Sequence, residues 1–302
     1  MLNSTVKLAA VWPSLPGPGK NSQTMKNCAA PFHLLPFATA LIAFCAAELS
    51  AQTYIAAEDS AVYGAYSDGW QTGDVSGRGF GPWKLYAPDY VDVEEEQYAG
   101  FFIAEAEVEA DLGQSALDGK AFGIFANGTG FEETVAFRAL NQALNPGDTF
   151  SCRLEFDGFK SKFDRDSTRV SSVGIAFRAS PQANSLGELV EGRLLVLAVI
   201  EGLSTYQILD AESRLNTRVF IDPEGVELGL TPRGNGSYDL QLITLSDQVR
   251  HDFPGRAFKV DPNPDPATPE SAIHSFALFN LNGGASNAYF GAFQISRQET
   301  ER

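Results

Sequence analysis

Hydrolysis of a glycosidic bond needs two carboxylates across it, about 5–5.5 Å apart for retention and 6.5–9.5 Å for inversion. Glu155-Phe156-Asp157 begins an alternating carboxylate pattern on one strand, but Lys160 stands where a further Glu would complete it. The Glu155/Asp157 pair therefore reads as a solvated strand face rather than a catalytic pair. A Ser-His-Asp site needs a positioned His. Beyond position 51 the chain offers His251 and His274, neither near a Gly-x-Ser-x-Gly turn. Cys152 alternates with Phe150, Leu154 and Phe156 and reads as a buried small hydrophobe, not a nucleophile. One Cys and two distant His do not make a zinc site. Asp164-Arg165-Asp166-Ser167-Thr168 starts like a calcium loop, yet Arg169 replaces the required Gly and Ile175 the closing Glu. No catalytic residue, metal ligand or cofactor is expected from these patterns, and calcium held by carboxylates from separate loops stays open as an alternative.

Sugar recognition asks for less. Sugar C–H faces pack on an aromatic ring while carboxylates and amides bond the hydroxyls, so a partly exposed ring beside a few convergent polar groups suffices. Asp68-Gly69-Trp70-Gln71 supplies that combination in a turn-rich segment, and Asn287 with Tyr289 near the C-terminal strand is a second candidate. The competing reading is that Trp70 seals one end of the fold, which is the usual fate of so large a ring.

These residues sit in a chain dominated by short strand-like runs. In Tyr238-Asp239-Leu240-Gln241-Leu242 the apolar residues fall on one face at period two, as they do from Phe150 to Phe156. Arg193–Ile200 is apolar throughout after its Arg and reads as a strand buried on both sides. Asn145-Pro146-Gly147-Asp148, Asp222-Pro223-Glu224-Gly225 and Arg233-Gly234-Asn235-Gly236 are turns between such runs. Helical period is not sustained anywhere, and residues 182–191 could form one short helix. About a dozen antiparallel strands predict an all-β fold, a single β-sandwich of jelly-roll or concanavalin-like form over residues 52–302. Residues 91–98 read as an acidic loop, and 254–269, with five prolines, as a surface excursion.

The N-terminal part differs in kind. Met25-Lys26-Asn27 precedes an apolar stretch from about Ala29 to Ala47 that ends at Leu49-Ser50-Ala51. That order predicts a secretory signal peptide over 25–51, cut after Ala51, with residues 1–24 a miscalled start or a disordered leader. Its apolar core is short and holds Pro31 and Pro36, so no integral membrane span is expected in the mature chain. The whole chain has 22 basic and 38 acidic residues and a net charge of −16. Loss of Lys7, Lys20, Lys26 and Glu48 takes this to −18, which disfavours nucleic acid as a partner. Cys152 is then the sole cysteine, so stability must come from a core rather than a disulfide.

Tyr66-Ser67-Asp68-Gly69-Trp70-Gln71-Thr72-Gly73 is followed by Gly77-Arg78-Gly79-Phe80-Gly81-Pro82-Trp83. Ala99-Gly100-Phe101-Phe102-Ile103, the run from Asp118 to Asn127, Ala136-Phe137-Arg138-Ala139-Leu140, Asn145–Phe150 and Asn287-Ala288-Tyr289-Phe290 continue in order. Together these blocks resemble a family of secreted bacterial modules of concanavalin-like β-sandwich form, over most of residues 57–296. The resemblance implies a fold and a secreted, extracellular or periplasmic setting, and no catalytic residue to carry over. This chain departs from the family in its long acidic insertions and in showing no anchoring tail. Three functions follow as expectations: a non-catalytic binding module for extracellular polysaccharide, a surface or matrix structural protein without a small ligand, and a polysaccharide hydrolase with carboxylates from separate strands.

Overall fold

A computed structural model describes residues 52–87, 99–109, 112–127, 132–159, 170–183, 188, 192–259 and 272–298. The expected signal peptide, the 91–98 loop, the Asp164–Thr168 stretch and most of the proposed 182–191 helix lie outside them. Fifteen strands and one 3₁₀ turn, Gly64–Tyr66, make up the regular structure among the described residues. The fold is an all-β sandwich of two antiparallel sheets.

One sheet runs β13 (Arg250–Ala257), β12 (Ser237–Thr244), β11 (Val226–Arg233), β6 (Thr149–Phe156), β15 (Ala288–Gln298), β4 (Lys120–Ala126), β3 (Ala99–Glu105), with β1 (Thr53–Asp59) also on β15. The other runs β10 (Ser213–Phe220), β9 (Thr205–Asp210), β8 (Arg193–Ile200), β7 (Ser172–Arg178), β14 (Ile273–Leu281), β5 (Glu133–Leu144), β2 (Phe80–Tyr86). Period-two alternation explains the first sheet: β12 alternates partly exposed and buried residues along its whole length. The second sheet buries both faces of its central strands, while its edge strand β10 is mostly exposed. The outer side of the sheet carries a separate apolar cluster with Val135, Phe137, Ala176, Val196, Ala198 and Ala277, so the central strands read as continuous apolar runs.

Aromatic rings fill the space between the sheets. Phe150 of β6 lies 5.1 Å from both Phe177 and Phe276 of the facing sheet, in edge and tilted geometry. Cys152 is fully buried on the same face of β6, and burial pushes its thiol well above its ordinary value. The expected surface excursion does not begin at residue 254, because β13 continues through Pro254 to Ala257. A proline is tolerated there since β13 is the edge of its sheet.

β15 organises the first sheet's centre. It pairs with β6 along one side, and with β4 and then β1 along the other. The register shifts between Gly291 and Gln294, where Ala292 takes φ 55°. This bulge lets one strand hand over from β4 to β1.

Candidate binding groove

The loop after β1 is fixed from below by a buried polar network. Arg138 of β5 ion-pairs with Asp59, and both side chains are fully enclosed. Tyr66 donates to Asp59 Oδ2 at 2.5 Å, and Trp83 Nε1 donates to the Tyr66 hydroxyl at 3.2 Å. Arg138 Nε also donates to the Gly81 carbonyl at 2.9 Å, and its guanidinium lies 4.7 Å from the Trp83 ring centre. A buried ion pair survives desolvation only when its remaining donors and acceptors are satisfied, and here they are. The loop is also strapped to β2: Gly73 N donates to the Trp83 carbonyl at 2.9 Å, and Trp83 N to the Asp74 carbonyl at 3.0 Å. Gly69 and Gly73 adopt φ of 105° and 101°, which a side chain would resist.

This loop and the edge strand β3 enclose a groove of about 450 Å³. Asp68, Trp70 and Gln71 form one wall; Phe101, Phe102 and Glu105 form the other, with Lys120 of β4 beside them. Phe101 and Phe102 are partly buried, whereas Asp68, Gln71 and Glu105 are exposed. Lys120 Nζ donates to Glu105 at 2.6 Å. Phe102 occupies the space left by the missing side chain of Gly123, where a Cβ would sit 2.4 Å from its ring. It also packs edge-on to Tyr289, with ring centres 6.2 Å apart. The backbone of β3 adds to the wall. Ala106 N bonds the Gly119 carbonyl, so Ala106, Ala104 and Phe102 point their amides at β4, and Phe101 and Ile103 point theirs away from it.

Of the residues singled out from sequence, Asp68, Trp70 and Gln71 do meet in one groove. Trp70 is not an exposed platform, however. It is 4% exposed and packs against Trp83, Phe122 and Phe101 at ring-centre distances of 4.9, 4.8 and 5.3 Å. Its Nε1 is buried and bonds no other protein atom. Gln71 Nε2 donates to the Asp68 carbonyl at 3.2 Å, which fixes the turn between them. Tyr289 is also no platform, being 1% exposed; Asn287 Nδ2 donates to its hydroxyl at 3.2 Å. That pair supports Phe102 from behind and does not line the groove. The partly exposed rings are Phe101 and Phe102, which sequence reasoning had assigned to fold alone. The missed signal was two adjacent aromatics on one strand, since period two forces one of them out of the core.

Glu155 departs from its expected solvated position. It is fully buried beneath residues 113–115, accepting from Gly113 N at 2.7 Å and Ser115 N at 3.1 Å, while Asp157 is exposed. Burial is the largest influence on Glu155 and raises its carboxyl above the ordinary value. The enclosed carboxylate holds the covering segment to the sheet and meets no open groove. Among the described residues no group of three His, Cys, Asp or Glu side chains is placed to hold a metal ion.

No protein-family model matches the chain, and no curated protein does. Solved structures resemble it loosely in shape. A sialidase superposes with a TM-score of 0.42 at 11% identity, over 72% of this chain and 17% of its own. A carbohydrate esterase from Shiga toxin-encoding bacteriophage phi24B gives 0.41 at 16%, over 72% and 90%. A legume lectin-like domain from Entamoeba histolytica gives 0.35 at 10%, over 66% and 90%. The chain thus spans under a fifth of the sialidase. Among the described residues no helix is long and apolar enough to cross a membrane.

Proposed function

We propose that this chain is a secreted, non-catalytic module that binds extracellular glycan in the groove between the Trp70 loop and β3. The observation that carries the reading is the pair of adjacent rings Phe101 and Phe102 on the edge strand β3. Both rings are partly buried and line a groove that also presents the exposed side chains of Asp68, Gln71 and Glu105. Phe101 and Phe102 offer apolar surface to sugar C–H groups, and Asp68, Gln71 and Glu105 offer partners to hydroxyls. The groove's volume falls within the ~300–1,000 Å³ of small-ligand sites. The expected export signal and the acidic surface suit a soluble partner of neutral polysaccharide. The hydrolase alternative is weakened by Glu155, whose carboxylate is sealed from any substrate.

Affinity electrophoresis of the mature chain through a panel of neutral polysaccharides tests this. We expect retention by at least one, and an Asp68→Ala/Gln71→Ala variant about tenfold weaker, because hydrogen bonds to a charged or amide partner contribute roughly 1–3 kcal/mol. Both side chains are exposed, and the one bond lost, from Gln71 to the Asp68 carbonyl, is exposed too, so the melting temperature should fall only slightly. Free migration through every polysaccharide would leave the structural-protein reading in its place. Retention unchanged in the double variant would remove the groove.

A further inference from the structure

The most exposed large aromatic among the described residues lies elsewhere. Phe220, at the end of β10, is 70% exposed, and Val249 beside it is 44% exposed. Two turns bring them together: the one after β10 carries Asp222, and the one between β12 and β13 carries Asp247. With Arg218 and His251 they line an open depression of about 310 Å³. It is far from the first groove in the topology, since β3 and β13 are opposite edges of one sheet.

Phe220 is not a frayed end. The register with β9 shifts between Asn216 and Phe220, so the stretch from Asn216 to Phe220 faces only Gln207 to Thr205. Arg218 within this bulge takes φ 62°, a conformation uncommon for a long side chain. Asn216 Oδ1 holds it there, accepting from Arg218 N at 2.8 Å and Thr205 Oγ1 at 2.9 Å. Thr217 Oγ1 donates to the Tyr206 carbonyl at 2.7 Å and accepts from Val219 N at 3.1 Å. The opposite turn is equally fixed. Asp247 Oδ1 accepts from Thr244 Oγ1 at 2.5 Å and Val249 N at 3.2 Å, and Asp222 Oδ2 accepts from Ser246 N at 3.0 Å. Bulges of this kind re-aim side chains, and backbone strain that survives in a well-bonded frame marks places where a side chain has work at the surface.

From the bulge-presented ring and the two fixed turns facing it, we infer that the Phe220 depression is a second glycan subsite, stacking one neutral sugar ring. The inference rests on the reading of this chain as a glycan binder. Phe220 and Val249, with Ile221 and Pro223 beside them, are far too little for a protein partner, whose interface takes about 800 Å² from each side. They match the single flat face of a pyranose, with Asp247 and His251 beside it for hydroxyls. A net charge of −16 disfavours uronate or sulfated polymers. Two subsites at opposite edges would engage one polymer twice, so long polysaccharide should be held more tightly than short oligosaccharide.

The test compares wild type, Phe220→Ala, Phe220→Trp and Asp68→Ala/Gln71→Ala by affinity electrophoresis on a neutral polysaccharide that retains wild type. We expect Phe220→Ala to weaken retention about tenfold, as loss of one aromatic contact does, with an unchanged melting temperature. Phe220→Trp should keep or strengthen retention. Combining Phe220→Ala with the groove variant should abolish what either leaves. Wild-type retention that Phe220→Ala leaves intact would overturn the second subsite alone. Wild type that no polysaccharide retains would overturn the glycan reading and this inference with it.

Discussion

The Trp70 loop and the Phe220 bulge both bring an aromatic residue to an edge of the sandwich, and they use it in opposite ways. At the loop, glycine-rich chain folds inward over Asp59 and Arg138, and the indole joins the core between Trp83, Phe122 and Phe101. At the bulge, Asn216 and Thr217 turn the backbone outward and leave Phe220 in water. The difference teaches that a dense glycine-aromatic motif reports packing demand, whereas a lone ring on a bonded, strained backbone reports presentation.

The sharpest way to break that contrast is to truncate each ring. Trp70→Ala should cost about 3–5 kcal/mol, as buried Trp truncations do, and collapse the melting temperature. Phe220→Ala should stay within about 0.5 kcal/mol, as surface changes do. Equal thermal shifts in calorimetry would erase the distinction. Asn216→Ala is the next largest change. It removes the acceptor that holds Arg218, and should cost about 0.5–1.5 kcal/mol, the worth of a typical hydrogen bond. It should also weaken glycan retention while Phe220 itself is untouched; intact retention would show that the bulge does not aim the ring.

The smallest effect is a fall in stability with rising pH, and it comes from the groove side. Glu155 grips residues 113–115, next to Leu112, which packs with Phe102 and Tyr289. Its carboxyl is raised in the fold, so the folded chain binds its proton more readily than the unfolded chain. Stability should therefore fall as pH rises from the unfolded value near 4.5 through the folded one, and level off above it. Glu155→Gln should show a shallower slope in melting curves across pH 4–7, the remainder belonging to Asp59, whose carboxyl burial also raises. A slope of the same size in the variant would assign it to other groups.

Much of the architecture was legible because one-sided burial leaves a period-two trace. β6 and β12 could be read off Phe150–Phe156 and Tyr238–Leu242 for that reason. β13 could not. An edge strand with Pro254 and Gly255 and mostly exposed side chains has no buried face to write a pattern. The groove was half legible. Asp68-Gly69-Trp70-Gln71 stood out as a turn with mixed chemistry, but which way the indole pointed depended on Asp59 and Tyr66 being held by Arg138, 79 residues beyond Asp59 in sequence. Glu155 misled for a related cause: a carboxylate alternating with apolar residues is solvated unless another segment folds over it, and residues 113–115 do. Phe220 was hidden inside an ordinary-looking run, Thr217–Ile221. Its exposure is set by a register shift against β9 and by lying at a sheet edge, neither of which is a property of the run.

The pairing of β1 with β15 has a mechanical consequence. Thr53 lies opposite Gln298, and the ladder runs antiparallel from there to Asp59 opposite Phe293. Tension applied between Thr53 and Gln298 would act across the strands, along their hydrogen bonds, and open the ladder one rung at a time from the outer end. A load shared along the strands would instead have to break many rungs at once. The sandwich is thus soft to pulling these two residues apart. If it is hung from a surface through the chain before Thr53, drag on a captured polymer loads the β1–β15 ladder first, because β15 is the strand that β1 pairs with.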